Sequence, residues 1–180
     1  MRTRRLGLDC LTPILWHKIA NGATEAEGNG AGFYGKPYQP GSIVKNDTEY
    51  ILLLRKGGAY RSVQPLTKAL SMLSKEEMRG WLRSGWSDLP GASTTKSQHP
   101  APYPVEVAER LIKLFSFAGD IVFDPFLGTA STTVAAIQTG RNSIGVEVES
   151  QYLNAAFEKA VSLSRVKRMA GATSTEVIRD

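Results

Sequence analysis

One cysteine, two histidines and no apolar run of membrane-spanning length mark what this 180-residue chain lacks. Cys10 alone can form neither an internal disulfide nor a thiolate cluster for zinc. His17 and His99 are too few and too distant in sequence to suggest a metal site. No stretch approaches the ~18 uninterrupted apolar residues that a spanning helix needs. The basic start MRTRRLGLDCLTP also lacks the apolar centre of a secretory signal. The expectation is a cytoplasmic, reduced protein with no metal and no membrane partner. Cys10 has no histidine or acid that can be placed beside it, so it reads as a buried core thiol and not a nucleophile. His17, inside an apolar run, reads as a structural histidine.

What is present balances toward a folded core, with 42% hydrophobic and 22% charged residues. Lysine and arginine exceed aspartate and glutamate by five, and the excess is local. Arg55 to Gln98 holds eight basic residues against Glu76, Glu77 and Asp88, while the remainder of the chain is neutral. Such a patch suits a polyanion such as DNA, or is simply a solvated face.

Leu11 to Ile19 and Glu49 to Lys56 read as strands, the second with consecutive apolar residues that predict burial on both faces. Ala20 to Ser42, rich in glycine and asparagine, reads as a loop. Ser74-x-x-Glu77 fits a capping box opening a helix ahead of Met78, Trp81 and Leu82. Val105 to Phe117 predicts an amphipathic helix entered through Pro104. Then follow a strand at Ile121 to Asp124, a glycine-bearing loop, a helix at Ser131 to Thr139, a strand at Ser143 to Val148 and a helix from Ser150 to Met169. This alternation predicts parallel strands joined by helical crossovers.

FDPFLGTASTT (Phe123 to Thr133) followed by GRNSIGVEVE (Gly140 to Glu149) carries the chemistry. Ligands of doubly wound sheets sit beyond the carboxyl ends of the strands, where Asp124 and Glu147 are expected. Gly128 permits close backbone approach, and the helix start near Thr132 offers N–H groups to an anion. Glu147 can accept hydrogen bonds from both ribose hydroxyls. The pattern describes a nucleoside-containing cofactor. A nicotinamide fingerprint would need three glycines, and only Gly128 is present, with Ala130 two residues on. An acid can take an ammonium group and a ring face attracts a sulfonium, both of which S-adenosylmethionine carries. A nucleotide-dependent oxidoreductase is the weaker alternative, and strand-end carboxylates that merely cap a helix are the structural one.

FDPFLGTASTT with GRNSIGVEVESQY resembles the cofactor motifs of DNA methyltransferases that modify exocyclic amino groups, adenine N6 or cytosine N4. HPAPYPVEVAERLI (His99 to Ile112) is similar to the stretch preceding that motif in permuted members, and LTPILWHKI with GKPYQPGSIVKNDTEYILLLRK resembles their paired strands after the catalytic motif. The resemblance implies an α/β, doubly wound, Rossmann-like methyltransferase sheet. It implies cofactor contacts from Asp124, Phe126, Gly128 and Thr132, a ribose contact from Glu147, and His99 with Pro100 near the methionine moiety. The basic segment takes the place of a small target-recognition insert, with Arg61, Lys68, Arg79 and Arg83 as DNA contacts and Trp81 and Trp86 either stacked on a base or packed in the core. The implied parts are residues 1–56 (paired strands), 57–98 (target recognition), 99–170 (cofactor binding) and 171–180 (tail).

Two departures qualify the resemblance. Ala130 stands where the family usually has a second glycine, a strain if that position needs positive φ. More importantly, the family grips the target amino group with a polar residue followed by Pro-Pro and an aromatic ring. None of the nine prolines here is adjacent to another. The expectation is therefore an incomplete sheet, a chain without methyl-transfer activity alone, and a missing N-terminal half as partner beside DNA. A non-catalytic cofactor- or DNA-binding module completing such a half is the alternative, and an RNA substrate also stays open.

Overall fold

The structure, a computed structural model, describes residues 6–18, 48–92 and 103–169. His99, Pro100, Lys96, the 20–42 loop and the tail from 171 lie outside the described residues. The chain divides into two compact units, one of residues 1–60 with 82–91 and one of residues 61–81 with 92–180.

The first unit is an antiparallel ladder with one step in its register. Strand β1 (Leu8–Cys10) pairs with β4 (Leu54–Lys56), and β2 (Ile14–His17) pairs with β3 (Thr48–Ile51). Leu8 faces Lys56 whereas Ile14 faces Ile51, so residues 11–13 oppose only residues 52 and 53. This is a bulge, and Pro13, with no N–H to donate, occupies it. A short parallel strand, β5 (Gly85–Trp86), closes the other side of β2. Ile14, Trp16, Trp86 and Leu89 form the core, with the Trp16 indole N–H donating to the Leu89 carbonyl at 2.9 Å.

Three expectations need correction here. Leu11 to Ile19 forms a strand only over Ile14–His17, because the bulge interrupts it. Glu49 to Lys56 is not buried on both faces: Tyr50, Leu52 and Leu54 are exposed. Cys10 is exposed as well, since β1 lies at the rim of the ladder and not in its core. Trp86, by contrast, is core and presents no face to a base.

The second unit holds helices α1 (Pro65–Leu70), α2 (Lys75–Trp81), α3 (Val105–Phe115), α4 (Ser131–Gln138) and α5 (Ser150–Met169), with strands β6 (Ile121–Asp124) and β7 (Asn142–Gly145). The two strands pair in parallel, Ile121 opposite Asn142 and Asp124 opposite Gly145. The α4 crossover between them packs against both, and α3 and α5 flank α4. Ala108, Ile112, Ala135 and Ala136 form a core that Tyr103, Val105 and Val122 extend. Strand alternation puts Ile121, Phe123 and Ile144 on the opposite face, where they are 64%, 60% and 52% exposed.

Two devices order this unit. The buried Arg141 guanidinium donates to the Thr139 carbonyl (2.6 Å), the Ser116 carbonyl (2.8 Å) and the Ser116 hydroxyl (3.2 Å), closing the carboxyl ends of α3 and α4 together. The predicted capping box is present: the Ser74 N–H donates to the Glu77 carboxylate (2.7 Å), and the Glu77 N–H to the Ser74 hydroxyl (3.1 Å). Glu77 also pairs with Lys113, which together with Arg110 lies over the Trp81 ring. Arg61 reaches both oxygens of Asp120 at 2.7 Å, with its guanidinium over the Phe117 ring, and the Ala118 N–H donates to the Ser71 hydroxyl (2.7 Å). These contacts bind α1 and α2 to α3 and to the turn before β6.

Ala130, the residue before α4, has φ +68° and is fully buried against Leu127 and Ala156. A left-handed alanine costs about 1–2 kcal/mol. Its buried methyl returns about 0.8 kcal/mol, and the backbone freedom that glycine would lose on folding is worth about 0.5–1 kcal/mol. These offset, so Ala130→Gly should change stability by less than about 0.5 kcal/mol in urea unfolding. Ala130→Val, adding a branched side chain at positive φ in an enclosed site, should cost about 3 kcal/mol or more.

Acid should unfold the second unit through two carboxyls. The Lys113 and Ser74 N–H hydrogen bonds hold Glu77 below the ordinary carboxylate range. At Asp120 burial opposes ionisation, but the Phe117 N–H and Arg61 outweigh it and the carboxyl is again lowered. Groups with depressed folded-state values stabilise fully above the unfolded value of about 4 and lose that contribution as pH falls through the folded one. Urea midpoints measured from pH 6 to pH 3 should therefore drop for the native chain and drop less steeply for Glu77→Gln and Asp120→Asn.

Candidate cofactor site

Beyond the carboxyl ends of β6 and β7, two loops meet. Asp124 closes β6, and its two oxygens have separate partners: one accepts the Phe126 N–H (3.0 Å), the other the Thr132 hydroxyl (2.6 Å). The first is an Asx turn that starts the loop, and the second ties the strand end to the first turn of α4. Ladder-like bonds extend past the strands, from the Val146 N–H to the Asp124 carbonyl and from the Leu127 N–H to the Val146 carbonyl, both 2.9 Å.

Glu147 lies two residues beyond the last residue of β7, which ends at Gly145 and not at Val148 as expected. One of its oxygens accepts the Gly128 N–H (2.7 Å) and the other the Glu149 N–H (2.9 Å). Gly128 has φ +53°, so the backbone turns its N–H toward Glu147 in a conformation that favours glycine. Gly145 matters for a different reason. A β-carbon built there would sit 2.6 Å from a Leu127 methyl, so a side chain at 145 would force the Leu127 side chain off β7. Sequence reading missed Gly145, and the signal for it was a glycine inside the otherwise β-forming SIGVEV run.

Asp124, Gly128, Thr132 and Glu147 are thus brought together through two loops and one helix start. Phe126 joins them on the loop, 86% exposed. No side chain caps α4. Each carboxylate oxygen accepts an N–H or O–H and keeps further lone-pair capacity. An exposed ring, two anionic groups and a close-approach glycine suit a ligand bearing a cation and a vicinal diol. Tyr103, also not singled out from sequence, meets the Thr132 hydroxyl through its own, and burial pushes its ionisation upward. His99 lies outside the described residues.

The basic candidates are divided between the units. Arg61, Lys68 and Arg79 belong to the crevice unit, and Arg83 belongs to the other. All four are exposed, although the Arg61 guanidinium is engaged by Asp120. Among the described residues no cluster of histidine, cysteine, aspartate and glutamate could hold a metal ion.

Comparison with known proteins bears on the fold and the family. The profile of the N6/N4 DNA methylases matches residues 4–158. M.MthZI, a Type II methyltransferase of Methanothermobacter thermautotrophicus, is 36% identical over 154 residues, which cover 81% of this chain and 42% of that protein. M.MjaI, a Type II methyltransferase of Methanocaldococcus jannaschii, is 39% identical over 153 residues, covering 81% of this chain and 47% of the relative. The chain therefore spans less than half the length of either. The Thermus thermophilus protein TTHA0409, crystallised with S-adenosyl-L-methionine, superposes with a TM-score of 0.69 at 39% identity, over 89% of this chain and 56% of that one. The fold is that of the α/β methyltransferases, and the chain belongs to the N6/N4 DNA methylase family.

Proposed function

We propose that this chain is the cofactor-binding and target-facing portion of an S-adenosylmethionine-dependent enzyme that methylates an exocyclic amino group of adenine or cytosine in DNA. The observation that carries the reading is the pair of carboxylates at and just beyond the carboxyl ends of adjacent parallel strands, Asp124 closing β6 and Glu147 two residues past β7, both accepting N–H groups of the loop between β6 and α4. When bound, the cofactor supplies an electrophilic methyl group on a sulfonium. Asp124 would accept from its ammonium group, Glu147 from its ribose hydroxyls, and Phe126 would offer a ring face to the cation. Gly128 would leave room for the ligand, Thr132 at the helix start would lie near its carboxylate, and the family resemblance implies His99 near the methionine moiety. The donor set fits: neither carboxylate is exhausted by the N–H bonds it accepts.

Lys68, Arg79 and Arg83 are the proposed phosphate contacts, within a target-recognition segment at 57–98. Arg61, held by Asp120 in an ion pair, would join them by exchanging that partner. The base-gripping Pro-Pro-aromatic motif does not occur in the 180 residues. We propose that an N-terminal half supplies it and covers the apolar face of Ile121, Phe123 and Ile144, a reading supported by that face's exposure and by the greater length of the relatives. No helix among the described residues is long and apolar enough to cross a membrane, and a DNA substrate suits a cytoplasmic site.

Calorimetry on the 180-residue chain should give S-adenosylmethionine binding that Glu147→Gln and Asp124→Asn each weaken about tenfold, the value of one charge-assisted contact. A chain that melts cooperatively yet binds none would overturn the reading. Incubated with DNA and methyl-labelled cofactor, the chain alone should transfer no label. The missing motif also favours a second reading, a binding module without catalysis. A complex with a protein carrying Pro-Pro-aromatic separates the two, since restored transfer supports the enzyme portion and binding without transfer supports the module.

A further inference from the structure

Proton counting at Asp124 assigns a role to a residue outside the motif. The Thr132 hydroxyl has one proton, and it lies on the 2.6 Å bond to the Asp124 carboxylate, which when ionised can only accept. The Tyr103 hydroxyl approaches the same Thr132 oxygen and must therefore be the donor to it. The chain of bonds has a single polarity, from Tyr103 to Thr132 to Asp124. Tyr103 takes the acceptor side of the Thr132 hydroxyl and leaves that proton only one direction. Without it the hydroxyl is free to rotate, and the carboxylate loses a fixed, polarised donor. The opposite oxygen of Asp124 holds the Phe126 N–H, so the orientation of the whole carboxylate depends on both ends.

Tyr103 is itself anchored twice. Its carbonyl accepts the Ser131 hydroxyl at 3.0 Å, and its ring packs on the Ala108–Ile112–Ala135–Ala136 core. Burial disfavours the phenolate, so the hydroxyl keeps the proton it must donate. We infer that Tyr103 is a positioning residue that orients Asp124 toward the amino group of the cofactor's methionine moiety. What Asp124 grips rests on the cofactor reading above; the orientation of Asp124 does not.

Tyr103→Phe tests both parts. In the free chain, amide exchange at Phe126 measured by NMR should quicken about fivefold, matching the loss of one hydrogen bond's net worth, while Ala135 inside α4 stays unchanged. Placed on a Thr132→Val background the substitution should add less than it does alone, since the route through Thr132 is already broken and only the direct approach of the Tyr103 hydroxyl to Asp124 is left to lose. In calorimetry, S-adenosylmethionine should bind about fivefold more weakly, while 5′-methylthioadenosine, which lacks the amino-acid portion, should bind as before. Unchanged exchange at Phe126 overturns the inference, and so does equal weakening of both ligands, the mark of a merely structural residue. If Phe126 exchange quickens but the native chain binds neither ligand, the positioning role stands and the cofactor reading falls.

Discussion

Each crevice loop is held by a carboxylate that accepts backbone N–H groups. Asp124 takes the Phe126 N–H and Glu147 takes those of Gly128 and Glu149, so loop conformation and local charge are set by the same atoms. A loop held this way can carry the positive φ of Gly128 and Ala130, because the hydrogen bonds that close it are charge-assisted and short. It follows that the residues able to bind a cofactor are also those that shape the crevice.

The helical pair α1–α2 adds a second constraint. Arg61 with Asp120, Glu77 with Lys113, Trp81 beneath two cations, and Ser71 with Ala118 bind it to α3 and to the turn that starts β6. Exposed ion pairs contribute little singly, but several on one short segment limit its freedom together. Part of the basic segment thereby belongs to the unit that carries the crevice.

Much of this was legible because local chemistry and tertiary demand agree. The Ser74–Glu77 box, the amphipathic repeat of α3 and the strand–loop–helix–strand run from Ile121 are determined within a few residues of themselves. Errors fell where neighbours distant in sequence decide. Cys10 looked buried by residue type, yet its strand is at the rim of a ladder. The apolar run ILLL looked enclosed on both sides, yet Leu52 and Leu54 are exposed, as is Tyr50 just before the run. Glu147 read as a strand end, but β7 ends at Gly145, two residues earlier, and the chain beyond turns into the crevice loop.

By itself the sequence determined the order of elements, the identity of the crevice motif and the absence of adjacent prolines, since these depend only on which residues follow which. Only the tertiary structure decided that Tyr103 meets Thr132 and Thr132 meets Asp124, that the Leu127 side chain rests against Gly145, and that Arg61 is engaged by Asp120. Each joins residues from separate segments, and whether two such groups meet depends on packing that no local pattern encodes.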